Sequence, residues 1–125
     1  MRRIRLEMEV AGRPSWTLFD TGARNSYIVR SATEGLDRQP LAVPRTSALG
    51  GQVHKVEEIC LVFARLEGHP LEFQASVLES IGKDEDGRSI EVLFGALAMQ
   101  LWSIKLDPQN ERLDLSHFTG EFVEF

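Results

Sequence analysis

One segment of this 125-residue chain has the residue types and spacing to do chemistry. In Trp16-Thr17-Leu18-Phe19-Asp20-Thr21-Gly22-Ala23-Arg24-Asn25-Ser26-Tyr27-Ile28, an apolar stretch delivers an aspartate into a tight Thr-Gly turn, and a second apolar stretch leaves it. Withdrawing a lone carboxylate from water is expensive, so an Asp directly after four strand-like residues needs a reason. Either Asp20 caps a turn by bonding its own backbone, or it is held there to act on a proton. The other reactive side chains form no comparable constellation. His54, His69 and His117 are spaced for neither a helical ligand pair nor a compact metal site, and each reads as a packing or solvent-facing residue. Cys60, the single cysteine, reads as a buried thiol and excludes both an intrachain disulfide and a cysteine-based zinc site. Asp84, Asp86 and Gly87 echo a calcium loop, but Arg88 occupies the next ligand position, so 83–88 reads as a solvated charged loop.

The elements that must position Asp20 are mainly strands. Ile4, Leu6, Met8 and Val10 alternate with charged residues, which predicts a half-buried strand. Ala11-Gly12-Arg13-Pro14 is a turn, and Ser15–Phe19 returns antiparallel. Residues 26–29 are β-prone, and 30–41 read as irregular, with a short helical turn near Ser31 to Gly35. Val43 to Leu49 forms one arm of a hairpin tipped by Gly50-Gly51. In the other arm Ile59, Leu61 and Phe63 alternate with Cys60, Val62 and Ala64, which predicts a strand buried on both faces. Leu71–Val77 alternates again, Ile90–Phe94 is a short apolar strand, and Gly95–Leu101 is the one convincing helix. Asp107-Pro108-Gln109-Asn110 turns a last hairpin. Trp16 and Trp102 read as core. Phe118, Phe122 and Phe125 read as core or subunit seam.

Composition bounds the rest. With 42% apolar and 26% charged residues the chain reads as one soluble globular domain over 1–125, with 117–125 as a tail. A net charge of −5 argues against nucleic acid as a partner. No apolar run reaches the ~20 residues that span a bilayer. These counts predict a cytoplasmic protein without a membrane partner. The pattern of strands predicts a small, mostly antiparallel barrel or sandwich with one short helix. A domain of this size has a marginal core, which burial in an oligomer would extend.

Leu18-Phe19, then Asp20-Thr21-Gly22-Ala23, then Ser26-Tyr27-Ile28 resembles the active-site signature of retropepsin-like aspartic proteases. Leu93-Phe94-Gly95-Ala96-Leu97 matches that family's second element, an apolar strand ending in glycine before a short helix. The Gly50-Gly51 hairpin lies where the family has its flap, and the likeness covers most of residues 3 to 116. The resemblance implies a closed antiparallel β-barrel and an aspartic endopeptidase without a cofactor. In aspartic proteases generally, two carboxylates share a water and one proton, so that one acts as acid and the other as base. Only one Asp-Thr-Gly occurs here. The second carboxylate must then come from a homodimer's two-fold, with Asp20 facing its symmetry mate. By the same resemblance, Thr21 bonds across the two-fold and Gly22 permits the turn and brings amides to the carboxylates. Ala23, Arg24, Leu49, Gly50, Gly51 and Gln52 line the site for an extended peptide. Arg24 and Asn25 stand where viral members carry acidic residues, and Ala96 where they carry arginine. In these respects the chain is similar to cellular and bacterial members. A non-catalytic dimeric peptide-binding module of the same fold is the competing expectation.

Overall fold

The computed structural model describes residues 3–119. The chain is mostly β, with one short helix. Strands β1 (Arg3–Val10) and β2 (Arg13–Asp20) form a hairpin in continuous register, from Val10 opposite Arg13 to Arg3 opposite Asp20. Its tip, Ala11-Gly12, has φ of 48° and 81°, the left-handed pair of a two-residue hairpin turn. The alternation of β1 is realised: Ile4, Met8 and Val10 are buried while Glu7 and Glu9 face water. Both strands run further than their apolar residues do, so that Asp20 is the last residue of β2.

Strand β3 (Tyr27–Val29) follows, then a single 3-10 turn at Arg30–Ala32. β4 (Arg38–Leu49) and β5 (Gln52–Leu66) make the long hairpin with Gly50-Gly51 at its tip. β6 (His69–Leu78), β7 (Val92–Phe94), helix α1 (Ala96–Leu101) and the small hairpin of β8 (Lys105–Asp107) and β9 (Arg112–Asp114) complete the chain. The main sheet runs β1-β2-β7-β3-β6-β5-β4, and β1 also pairs with β5 through Glu9–Arg65 and Val10–Ala64. Most pairs are antiparallel. The exceptions, β2 with β7 and β3 with β6, lie at the centre of the sheet.

Three expectations about the strands and core need correction. β4 begins at Arg38, inside the stretch that reads as irregular, because nearly all of it is exposed and so lacks apolar alternation. Its register with β5 shifts between Pro40 and Arg45, a stretch whose Pro40 and Pro44 have no amide to donate. β5 is buried on one face only. Val56, Cys60, Val62, Ala64 and Leu66 point into the core, whereas Leu61 and Phe63 are 50% and 56% exposed. Among the described residues no second layer covers that outer face. Trp16 lies half-buried at the rim rather than in the core, with the Arg88 guanidinium 3.9 Å above its ring. Trp102 is buried, donates its indole N–H to the Glu72 carbonyl at 3.0 Å and stacks on Phe118. Phe122 and Phe125 lie outside the described residues.

The 83–88 loop is also more than a solvated turn. The Asp84 side chain is 3% exposed. It accepts the Trp16 indole N–H at 2.7 Å and the backbone N–H groups of Asp86 and Arg88 at 2.9 Å, and Arg5 lies 3.3 Å away. This clasp ties the loop to β1 and β2. Burial by itself would push the Asp84 carboxyl up, but the indole, the two amides and Arg5 together hold it below its ordinary 3.8. A group depressed on folding stabilises the fold above its unfolded pKa and loses that contribution as pH falls through the folded value. Asp84→Asn is therefore expected to melt lower than wild type at neutral pH, with the gap closing below about pH 4. Thermal melts of both proteins across that range check it; a gap independent of pH would contradict the assignment.

Candidate active site

The site is built where β2 and β7 run side by side. Leu18 pairs with Leu93 and Phe19 with Phe94. Phe19 and Phe94 are fully buried with ring centroids 5.1 Å apart, and Phe73 meets Phe94 edge-on at 4.8 Å. This aromatic cluster fixes the end of β2, so the next residue, Asp20, emerges from the core at a set place. Asp20 is 8% exposed. Its Oδ1 accepts the Gly22 N–H at 2.7 Å, and the Ala23 N–H donates to its backbone carbonyl at 3.2 Å. The turn-capping bond is present, and it fixes the carboxylate's orientation. The other oxygen, Oδ2, lies 3.7 Å from Nε of Arg3, directly across the hairpin.

The loop that follows is held from the far end of the sequence. Gly95 N–H donates to Ser26 Oγ at 3.0 Å, Ala96 N–H to the Ala23 carbonyl at 2.7 Å, and Leu97 N–H to the Arg24 carbonyl at 3.1 Å. The first amides of a helix have no partner within it, and here the loop carbonyls supply them. The approach is close enough to exclude any side chain at 95. An added Cβ would overlap the carbonyl group of Asn25, 2.7 Å from its carbon, and sit 2.9 Å from the Ala23 oxygen.

Above this loop lies a cleft of about 620 Å³. Asp20, Gly22, Ala23 and Arg24 line one side, and Leu49, Gly50 and Gln52 of the β4–β5 hairpin line the other. Leu18, Tyr27 and Leu93, all buried, make the apolar floor. Gly51 does not line the cleft; it takes φ of 81° at the hairpin tip, next to Gly50 at 55°. Thr21 is exposed and borders a separate hollow with Ala96, Met99 and Gln100. Two charged cleft residues escape the sequence reading, Arg3 and Lys83, as do the apolar residues of its floor. Arg3 had a usable signal, since counting back along the hairpin from Ala11-Gly12 puts it opposite Asp20. Lys83 had none, because it arrives through the loop clasped by Asp84.

No family model matches this sequence, and no curated protein does. Solved structures do. The crystal structure of the retroviral protease-like domain of Ddi1 from Leishmania major superimposes with a TM-score of 0.61 at 16% identity, over 91% of this chain and 88% of that one. EIAV protease, complexed with the inhibitor HBY-793, gives a TM-score of 0.54 at 19% identity, over 84% of this chain and 92% of that one. The fold is retropepsin-like. At such identities the likeness is one of fold.

In this retropepsin-like chain the contact at Gly95 leaves no room for a side chain. Gly95→Ala is expected to cost about 3 kcal/mol, through backbone displacement in a packed region. Gly50→Ala at the open hairpin tip meets no atom within 4 Å and carries only the left-handed penalty, about 1 kcal/mol. Urea unfolding of both variants checks the ranking. A Gly95→Ala chain as stable as wild type would contradict the close contact.

Proposed function

We propose that two copies of this chain form a homodimeric aspartic endopeptidase. Asp20 and the partner's Asp20 meet across a two-fold and share one water. The observation that carries the reading is the buried Asp20 at the mouth of an apolar-floored cleft, its Oδ1 fixed by the Gly22 amide. One carboxylate takes a proton from the water as its oxygen attacks the peptide carbonyl carbon. The protonated carboxyl gives its proton to the carbonyl oxygen. Collapse of the tetrahedral centre breaks the C–N bond, and the leaving nitrogen takes the proton that the first carboxylate removed from the water. Thr21, exposed on the far side of the loop, bonds to its counterpart and locks the two turns together. The hairpin with Leu49, Gly50, Gly51 and Gln52 at its end covers an extended peptide, which Ala23 and Arg24 contact from below. The ring of pairings closed by β1 and β5 is read as the closed barrel of this architecture, with residues 1–125 as its single domain. Among the described residues no helix is long and apolar enough to cross a membrane.

A second reading has its own support. Arg3 already gives Asp20 a countercharge at 3.7 Å, an arrangement that serves a peptide-binding module with no proton to move. The two readings separate in one experiment. Under the first, wild-type chain cleaves members of a broad peptide library between about pH 4 and 7, and Asp20→Asn lowers kcat/KM by at least about a hundredfold while leaving the fold intact. Under the second, neither protein cleaves and both bind. Equal cleavage by the two would contradict the assignment of Asp20.

A further inference from the structure

The chain as a whole is acidic, with nineteen Asp and Glu against fourteen Lys and Arg. The cleft is the reverse. Arg3, Arg24 and Lys83 line it, and among the described residues Asp20 is its one carboxylate. Elsewhere on the surface Arg5, Arg13, Arg30, Arg38, Arg88 and Arg112 are each engaged with carboxylates, while Arg45, Lys55, Arg65 and Lys105 lie apart from the cleft. Arg24 and Lys83 are exposed, and among the described residues neither has a carboxylate partner. Arg3 is 53% exposed along its side chain and sits 3.7 Å from Asp20, a loose pairing from which its long stem can turn to a second anion.

The surroundings strengthen this charge. Leu18, Tyr27, Ile90 and Leu93 form low-dielectric walls beneath it, and such walls concentrate the field of charges at a cleft mouth. The adjoining hollow of about 430 Å³ shares Arg3 and Lys83 and adds Arg5, but Asp84, Glu85 and Glu111 balance these three, so the excess of positive charge belongs to the cleft side.

We infer that this cleft selects extended peptides that carry Asp or Glu side chains beside the apolar residues filling its floor. The inference rests on the cleft being a peptide site; it does not require Asp20 to be catalytic. Exposed ion pairs contribute modestly one at a time, but two or three acting on one peptide amount to about tenfold in affinity at moderate salt.

The test uses three fluorescent peptides with the same apolar residues, flanked by Glu, Gln or Lys. Their binding to the Asp20→Asn chain is followed by anisotropy, and their cleavage by the wild-type chain as kcat/KM. The Glu peptide should bind about tenfold tighter than the Gln peptide, with the Lys peptide weakest. That preference should fall to about twofold or less in the added Arg24→Glu, Lys83→Glu background, and shrink as salt rises from about 0.05 to 0.5 M. Circular dichroism confirms that the charge variants fold. Binding with the charge preference but no cleavage upholds the inference while removing the endopeptidase. Cleavage without charge preference, or a preference unchanged in the charge variants, overturns the inference and leaves the endopeptidase standing. Absence of binding to all three peptides overturns it as well.

Discussion

The structure depends on one close contact between distant parts of the chain. Gly95 and Ser26 stand 69 residues apart in sequence and are joined by a 3.0 Å hydrogen bond. The backbone at Gly95 passes so near Ala23 and Asn25 that no Cβ fits between them. Three successive amides, at 95, 96 and 97, donate into the 23–26 loop. The loop thereby borrows the rigidity of β7 and α1, which are themselves anchored by Phe94 and Met99 in the core. A loop after an edge of apolar strand would otherwise be free to sample many conformations. Held this way, it presents one face of Asp20 to the cleft, which is what positioned acid–base chemistry needs.

Two further restraints act on the same carboxylate. The Gly22 amide holds one oxygen, and Arg3 lies beside the other because the β1–β2 register places it there. Capping a turn and doing chemistry are thus compatible, since the bond that caps the turn is also the bond that aims the side chain. The chain supplies this arrangement once. Paired-carboxylate catalysis needs it twice, so function and subunit association are linked in the proposed enzyme, and dilution would weaken both together.

Much of this was legible before the fold was known, and the exceptions have physical causes. The β1–β2 hairpin, the Gly50-Gly51 tip, the short helix and the close spacing of Asp20 to its flanking apolar residues follow from alternation, turn chemistry and one motif. β4 was half hidden because a strand exposed along most of its length has no apolar period to read. β5 misled in the opposite sense: Leu61 and Phe63 are apolar yet face outward. Asp84 gave no sign of its burial, because its partners Trp16 and Arg5 are remote in sequence and only the fold assembles them. The electropositive lining of the cleft was hidden for the same reason. Arg3, Arg24 and Lys83 come from three separate segments of an acidic chain.

The central claim is that one working centre takes a carboxylate from each of two chains. The direct measurement is peptide cleavage by wild-type and Asp20→Asn chains unfolded together and refolded at constant total concentration in varied proportion. If each centre needs both carboxylates, activity falls as the square of the wild-type fraction. Activity that falls in simple proportion to that fraction would mean that each chain works alone, and the account of a shared centre would be wrong.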